Sequence, residues 1–325
     1  MTNPNRLSYL ILAMTIVLVA WLHLGALLLA VLFSIFVLNK LYFTKSKPLA
    51  VALFLIVIVG VSYGAGHFTR AAVFALPRIA DSSIPSVLSW AEAHHIELPF
   101  TDYASLKELA MDNVKEQVHS LSNLARGATS VVVFVIIGIV VAISIFLNSQ
   151  LDLDRASHRV KGNLFSLCCD EIALRFHALY QSFATVMGAQ IIISLINTII
   201  STIFILIVQL PYAPVVIGVT FLCGMVPIVG NLISNTIIVC LAFTVSPKLA
   251  LAALIFLIVV HKLEYFLNSK IVGDRIRNPV WLTLIGLIIG EKLMGLPGMI
   301  LAPVILNYIR LEASQIEVRA PIKND

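Results

Sequence analysis

From residue 176 to residue 247 the chain carries no Asp, Glu, Lys or Arg. One helical crossing of a bilayer takes about 20 apolar residues, so this run holds roughly three crossings or their equivalent. The run is nevertheless interrupted by Pro211 and Pro214 and by the segment Gly224-Met-Val-Pro-Ile-Val-Gly230. Backbone that leaves a helix inside lipid is tolerated only beside protein or a water-filled cavity. The run therefore predicts a membrane protein with broken helices, which are typical of transporters.

The composition separates this chain from soluble proteins. Charged residues make up only 12% of the 325 positions, about half the share in a soluble domain. The basic residues lie in short loops between apolar segments, which fits the positive-inside rule and argues against a nucleic-acid partner. The four cysteines include no CxxC pair, so we expect no metal site and no cofactor. The expected fold class is an all-α, polytopic membrane protein with about seven to eight transmembrane segments, re-entrant helical hairpins and one extramembrane helical insert.

Charges divide the chain into regions that alternate between lipid and water. We expect N-terminal transmembrane helices at 1–70, an extracytoplasmic helical insert at 71–126, a transmembrane helix at 127–151, a cytoplasmic connector at 152–181, a transport core with re-entrant hairpins at 182–310 and a cytoplasmic tail at 311–325. Acidic residues outnumber basic ones in the insert, whereas the segment after residue 39 is basic and the segment after residue 151 contains Arg155, Arg159, Lys161 and Arg175. We expect these two segments and both termini to be cytoplasmic.

The uncharged run from Leu7 to Asn39 is too long for one crossing, since a single helix of that length measures about 50 Å against roughly 30 Å of hydrocarbon. We predict two short helices that turn near Trp21-Leu-His-Leu-Gly25. The next crossing, Pro48 to Thr69, ends with small residues that permit close contact between helices, namely Gly60, Gly64 and Gly66.

The insert is expected to end in a long helix. Ser105-Leu-Lys-Glu108 is a capping box, and the apolar spacing after it predicts a helix that continues through Gly127 into the crossing from Ala128 to Leu151. The projecting half carries an apolar stripe that needs a partner. That partner is either a neighbouring subunit or residues Ile84 to Trp90 of the same chain.

A polar stripe follows in the helix expected from about Ser182 to Leu210. Offsets of four, three and four place Gln190, Ser194, Asn197 and Ser201 on one face of an otherwise Ile-rich helix. Such a face must meet protein or water instead of lipid. Hydrogen bonds between helices alone would also explain it.

The segment from Val215 to Val245 carries Gly224, Pro227 and Gly230 near its midpoint, which predicts two half-helices that meet at a bent tip. Asn231, Ser234 and Asn235 follow on one helical face. Together with the N-terminus of the second half-helix, they are candidates for binding a polar solute or a cation. A simple proline kink is the alternative.

A carboxylate lies in the next apolar segment. His261, Glu264, Tyr265 and Asn268 share one helical face. Glu264 stays buried either by taking up a proton, which makes it a proton carrier, or by pairing with a cation such as Lys262 or Lys270. Alternatively, Glu264 sits at the membrane interface and anchors the helix end.

The last apolar stretches, 278–290 and 293–309, flank Glu291 and Lys292 and the turn sequence Gly295-Leu-Pro297-Gly298. A re-entrant hairpin would place Glu291 and Lys292 near its turn. Two full crossings would instead place them in a surface loop, and both arrangements remain open.

These segments resemble the AI-2E (autoinducer-2 exporter) family of bacterial membrane proteins. Gly224-Met-Val-Pro-Ile-Val-Gly230 resembles its glycine–proline–glycine hairpin, the segment Leu263 to Gly273 is similar to its glutamate-led segment, and Gly295 to Pro303 is similar to its glycine-rich ending. The resemblance implies export of small polar signalling molecules in some members, cation/proton antiport in others, and homo-oligomeric assembly. Glu264 and the tip Gly224–Pro227–Gly230 are the matched positions.

We therefore expect a secondary transporter of the bacterial inner membrane that exports a small polar solute or signalling molecule, with proton coupling through Glu264 and His261. The alternatives are a Na⁺(Li⁺)/H⁺ antiporter and a passive oligomeric pore. A chain without GxxxxGK[ST], HExxH or GxSxG is neither an ATP-driven pump nor an enzyme of those classes. The candidate binding residues are Asn197, Asn231, Ser234, Asn235 and Asn268, and the candidate hairpin tips are Gly224, Pro227, Gly230, Gly295, Pro297 and Gly298. The expected partners are the lipid bilayer, a small polar solute or monovalent cation, and further copies of the chain, with a pentamer as the assembly.

Overall fold

The structure is a computed structural model that describes residues 3–95, 121–226, 229–271 and 279–316. Over these residues the regular secondary structure is helical throughout, which confirms the all-α fold class. The helices are α1 (Asn3–Trp21), α2 (Gly25–Leu41), α3 (Lys47–Ala93), α4 (Leu121–Leu147), α5 (Leu164–Ile207), α6 (Ala213–Gly224), α7 (Val229–Val245), α8 (Pro247–Ile271), α9 (Val280–Met294) and α10 (Leu296–Ser314).

Helix length and apolar composition are those of a polytopic membrane protein, as predicted. α1, α3, α4, α5 and α10 each contain an apolar stretch long enough to cross a bilayer, and α2, α6 and α7 are shorter apolar helices. Large apolar side chains such as Trp21, Val59 and Ile207 remain exposed on them. Surfaces of this kind are suited to lipid and not to water.

The predicted helix pair at the beginning of the chain is confirmed. α1 ends at Trp21 and α2 begins at Gly25, and the turn between them places His23 in the left-handed region at φ 54°. The amide of Leu24 donates a hydrogen bond to the carbonyl of Val19, which satisfies one of the last carbonyls of α1.

Two helices run further than the charge pattern predicts. α3 is 47 residues long and continues past Arg70, where the sequence analysis ends the crossing. α5 is 44 residues long and begins at Leu164 instead of Ser182, so Asp170 and Arg175 lie on the helix. Each helix measures about 65–70 Å, twice the hydrocarbon thickness, so part of each must project beyond the lipid. The helices thus continue through the charged residues at which the crossings were expected to end.

Two further expectations have different outcomes. α4 runs unbroken through Gly127, as predicted, although the capping box at Ser105–Glu108 lies outside the described residues. Gly60, Gly64 and Gly66 make no close helix contact within the described chain, because a Cβ added at any of them meets no atom within 4 Å.

Contacts group the chain into two compact units. Unit 1 comprises Met1–Ala52, Val133–Gly188 and Asp274–Asp325, and unit 2 comprises Leu53–Val132 and Ala189–Gly273. The core of unit 1 buries Leu32, Phe183 and Leu301, and the rings of Phe33 and Phe183 meet edge to face at 4.9 Å. The core of unit 2 buries side chains from α5, α6, α7 and α8, namely Ile205, Val216, Leu241 and Leu257. Each unit therefore has its own apolar core.

The segment between α4 and α5 is organised around one buried carboxylate. Asp152 accepts a hydrogen bond from Ser166 Oγ at 2.6 Å and contacts His158 Nε2 at 2.9 Å. The hydrogen bond from Ser166, with a smaller contribution from His158, lowers the pKa of Asp152 below its usual value. Arg155 of this segment bonds to Asp170 on α5. The segment between α4 and α5 is thus folded against the first turns of α5.

A largely buried ionic cluster joins three helices of unit 1. Arg175 on α5 contacts Glu312 on α10 at 3.0 Å, and their side chains are only 14% and 8% exposed. Tyr9 on α1 donates a hydrogen bond to the same carboxylate at 2.6 Å, and the Arg175 guanidinium lies 4.3 Å from the centroid of the Tyr9 ring. Arg175 also bonds to Asn5 and to Glu171. The cluster holds parts of α1, α5 and α10 together.

Candidate functional site

The segment between α6 and α7 confirms the predicted break. α6 ends at Gly224 and α7 begins at Val229, so the helix is interrupted, whereas a simple proline kink would leave it continuous. A Cβ at Gly224 would lie 2.5 Å from Ser194 Oγ, and one at Gly230 would overlap the carbonyl oxygen of Cys223. Both positions therefore require glycine, because other atoms occupy the space of a side chain. Pro227 lies outside the described residues.

Two side chains on α5 bond to carbonyls at the end of α6. Gln190 Nε2 donates to the carbonyl of Gly224 at 2.6 Å, and Ser194 Oγ donates to the carbonyl of Phe221 at 2.7 Å. The last carbonyls of a helix have no partner within it, and hydrocarbon supplies none. These donors therefore stabilise the break. Hydrogen bonding between helices is confirmed as the role of this half of the polar stripe.

The other half of the stripe is buried as well. Asn197 is 6% exposed and Ser201 is 3% exposed. Among the described residues, Oδ1 of Asn197 has no hydrogen-bond partner. The structure therefore leaves this buried amide oxygen unsatisfied by the described residues, whereas Gln190 and Ser194 on the same face have partners.

Glu264 on α8 is buried against an asparagine of α7. The residue is 8% exposed, and Nδ2 of Asn231 donates to both of its carboxylate oxygens at 2.6 and 2.7 Å. Neither lysine that the sequence offers as a partner is seen to contact it within the described chain. Lys262 is exposed, and the side chain of Lys270 lies outside the described residues. Burial inside the protein favours a functional carboxylate over a helix anchor at the membrane surface.

His261 lies one helical turn before this carboxylate. Its Nδ1 is 3.7 Å from Oε2 of Glu264, and its side chain is 67% exposed. The structure thus brings an exposed imidazole next to a buried carboxylate.

The remaining residues predicted for this site lie on α7 and α8. Ser234 is 2% exposed, and its Oγ donates to the carbonyl of Asn231 at 3.3 Å, one turn earlier. Asn235 is half-buried on α7. Asn268 belongs to α8 one turn after Glu264, but its side chain lies outside the described residues. The structure thus brings Asn231, Ser234 and Glu264 together beside the break.

The second predicted hairpin tip belongs to unit 1. Gly295 at φ 64° separates α9 from α10, and Pro297 lies in the first turn of α10. A Cβ at Gly298 would overlap the carbonyl oxygen of Gly290, so the two helices touch at their backbones. Glu291 and Lys292 are exposed in the last turn of α9 with their charged atoms 3.4 Å apart. α9 has 15 residues and measures about 22 Å, which is short for a full crossing.

The contact between Asn231 and Glu264 was not predicted from the sequence. The two residues are 33 positions apart and belong to different helices, so no local spacing connects them. The only available signal was that each is polar within an apolar helix and therefore needs a buried partner.

The arrangement in unit 2 is suited to binding a proton or a small cation. A carboxylate in an apolar helix must be neutralised or paired. Glu264 contacts the amide group of Asn231 and, at a longer distance, the imidazole of His261. Oxygen ligands from a carboxylate and an asparagine also suit hard monovalent or divalent cations.

Comparison with known proteins supports a transport role. The family described as AI-2E family transporter matches residues 7–310. The chain is also similar to YdbI of Bacillus subtilis (strain 168), which is named as a transport protein and whose name gives no substrate. The two are 26% identical over 166 residues, which cover 50% of this chain and 47% of YdbI. The match thus spans about half the length of that relative.

Proposed function

Since the chain belongs to the AI-2E family of transporters, we propose that it is a secondary transporter that moves a small polar solute by coupling it to protons at Glu264. The single observation that carries this proposal is the buried contact of Glu264 with Asn231. A charged carboxylate is retained in an apolar helix at a large desolvation cost, so a functional role is the default interpretation.

The contact suggests how coupling works. In the charged state both carboxylate oxygens accept hydrogen bonds from Asn231, which ties α8 to α7 next to the broken tip. Protonation removes the negative charge and converts one oxygen into a donor, which weakens this charge-assisted contact. The tie between α7 and α8 then depends on proton occupancy. Access to a solute at the break changes with it, and His261 relays the proton.

A Na⁺(Li⁺)/H⁺ antiporter is the second candidate. It is favoured by the same geometry, because a rotated Asn231 amide presents its oxygen beside the Glu264 carboxylate. A cation and a proton would then compete for one site. In either case, we propose a bacterial inner-membrane location with both termini in the cytoplasm, export as the direction, and a homo-oligomeric assembly without enzymatic activity.

Transport assays in proteoliposomes test the proposal. We expect the wild-type protein to accumulate solute when a pH gradient is imposed, with D-ribose, Na⁺ and Li⁺ as separate probes. Glu264→Gln keeps the shape of the side chain but cannot carry a proton, so it should abolish the gradient-driven part. Glu291→Gln, which alters an exposed carboxylate in unit 1, is the matched control and should transport normally.

Flux through the wild-type protein that ignores the pH gradient would identify a passive pore. Unchanged gradient-driven flux in Glu264→Gln would remove this residue from the mechanism. Assembly is checked by size-exclusion chromatography, so that a misfolded variant is not mistaken for an inactive one.

A further inference from the structure

A cavity of about 490 Å³ lies in unit 1, where the ends of α2 and α4 meet α5. Lys47 Nζ donates a hydrogen bond to the carbonyl of Leu147, the last residue of α4, at 2.8 Å. The rings of Tyr42 and Phe146 meet edge to face with centroids 5.6 Å apart. The start of α3, through Lys47, and the residue directly after α2, Tyr42, thus both contact the end of α4. The volume falls within the range of about 300–1,000 Å³ that is usual for small-molecule sites.

The lining of this cavity changes from apolar to polar along both helices. On α2 the lining begins with the buried Ile35 and reaches the exposed Asn39 one turn later. On α4 it begins with the half-buried Ile145 and continues past the helix end to the exposed Asn148. The two helices therefore share one gradient, which runs from an apolar interior to a polar mouth. A molecule that fills such a cavity has an apolar body and a polar head.

The charge of the lining is one-sided. No Asp or Glu occurs among the lining residues, all of which belong to the described chain, whereas Lys47 and His177 do. α3 begins at Lys47, so the positive end of a helix dipole adds to the potential of the ammonium group. Lys47 gives one hydrogen bond to Leu147 and retains further N–H groups for a ligand. The head group that this mouth recognises is therefore an anion.

We propose that this cavity binds an anionic amphiphile, with its acyl chain between Ile35, Phe146 and Phe176 and its acidic head beside Lys47. Two sources offer this chemistry, namely a free fatty acid and an anionic phospholipid such as phosphatidylglycerol. The charge pattern predicts the cytoplasmic side for the segment around Lys47, and the cytoplasmic leaflet is rich in anionic lipids. The site lies in unit 1 and does not depend on Glu264 or on coupled transport.

Photolabelling of the full-length protein in detergent tests the proposal directly. The probe is a fatty acid that carries a photoreactive diazirine in its chain, and labelled peptides are identified by mass spectrometry. We expect labels on peptides that contain Phe146 and Phe176. Competition by unlabelled oleate, phosphatidylglycerol and zwitterionic phosphatidylcholine then identifies the head group.

Two pairs of variants separate the cavity from its surroundings. Ala173→Phe fills the cavity from its α5 wall, whereas Leu174→Phe changes the adjacent exposed residue, which does not line it. Lys47→Gln removes the charge at the mouth, and Lys45→Gln removes a nearby exposed charge outside the lining. We expect Ala173→Phe to suppress labelling. Lys47→Gln should weaken competition by the anionic lipid about tenfold, which corresponds to one charge-assisted hydrogen bond.

Competition by oleate alone or by phosphatidylglycerol would support the proposal and would name the source. Equal competition by phosphatidylcholine, or equal labelling in Ala173→Phe and Leu174→Phe, would overturn it. A change in subunit count in Ala173→Phe with unchanged labelling would assign the cavity to a second copy of the chain and would overturn it as well. Lys47→Gln provides an independent reading if Ala173→Phe does not fold.

Discussion

Nδ2 of Asn231 lies 2.6 and 2.7 Å from the two carboxylate oxygens of Glu264, and this contact adds a polar link between α7 and α8 to the apolar core that they share. Both residues lie in apolar helices, so each satisfies a polar group that lipid cannot satisfy. A contact of this kind is stronger when the carboxylate is charged. In the proposed mechanism, proton or cation binding at Glu264 therefore changes how α7 and α8 are held together at the break.

Replacing Asn231 by Asp should move the pH dependence of transport. Two carboxylates in hydrogen-bond contact cannot both ionise easily, so the pair retains a proton to higher pH. We expect the pH of half-maximal gradient-driven flux to rise by about one unit or more. Thr236→Val is the control, because Thr236 is exposed and bonds only to the carbonyl of Leu232 in its own helix. An unaltered pH profile in Asn231→Asp would contradict the coupling role of this contact.

Gly230→Ala should destabilise the protein or prevent its folding. A Cβ there overlaps the carbonyl oxygen of Cys223, so α6 and α7 must move apart. Overpacking of this kind costs about 1–3 kcal/mol or more. Gly64→Ala is the matched control, because its Cβ meets open space and the helix gains about 0.5–1 kcal/mol. Thermal unfolding of the two purified variants measures the difference, and equal melting temperatures would refute the close packing of the hairpin.

Ser194→Ala should destabilise the protein more than a comparable change elsewhere on α5. The variant leaves the carbonyl of Phe221 without its donor. Hydrogen bonds between membrane helices contribute about 0.6 kcal/mol on average and up to about 1.7. Thr202→Val removes a hydroxyl that bonds only within α5, to the carbonyl of Thr198, and should be nearly neutral. Denaturant unfolding in detergent measures the loss of stability in each variant. A smaller loss in Ser194→Ala than in Thr202→Val would show that this hydrogen bond does not stabilise the break.

Glu312→Leu should destabilise unit 1, because it removes one of the two carboxylates that contact the largely buried Arg175 and leaves Glu171. Removing one member of a buried pair costs about 3–5 kcal/mol when no other partner remains, so we expect a smaller loss here, and replacing both members by apolar residues costs less still. The double variant Arg175→Leu/Glu312→Leu should therefore be more stable than Glu312→Leu alone. Asp170→Asn, which alters an exposed ion pair, should change the melting temperature little. Additive losses in the double variant would show that the pair is not coupled.

The broken hairpin was predictable because its cause is local. Gly224 and Gly230 flank a proline within an apolar run, and this clustering disfavours a continuous helix. The close packing that requires glycine at both positions could not be predicted, because Ser194 and the carbonyl of Cys223 fill the space of a side chain there. The turn at Gly295 follows from sequence, since glycine readily adopts its φ of 64°. The start of α5 was not predictable in this way. Hydropathy reports where a helix lies in the membrane, so the charges at Asp170 and Arg175 suggested a connector although the helix continues through them.

Contacts between side chains that are far apart in the sequence could not be predicted. Glu264 was identified from its apolar surroundings, but its contact with Asn231 requires α7 to pack against α8, and no spacing rule gives that register. The contact of Arg175 with Glu312 likewise joins residues 137 positions apart. Buried polar residues thus indicate that a partner exists, and only the folded structure identifies which residue it is.

Proton coupling at Glu264 is best tested by measuring proton movement itself. Proteoliposomes that enclose a pH-sensitive dye are diluted into Na⁺, Li⁺ or D-ribose, and the internal pH is followed for the wild-type protein, Glu264→Gln and Glu291→Gln. We expect a solute-dependent pH change for the wild-type protein and for Glu291→Gln, and none for Glu264→Gln. A pH change of normal size in Glu264→Gln would show that protons cross without this carboxylate and would refute proton coupling at Glu264.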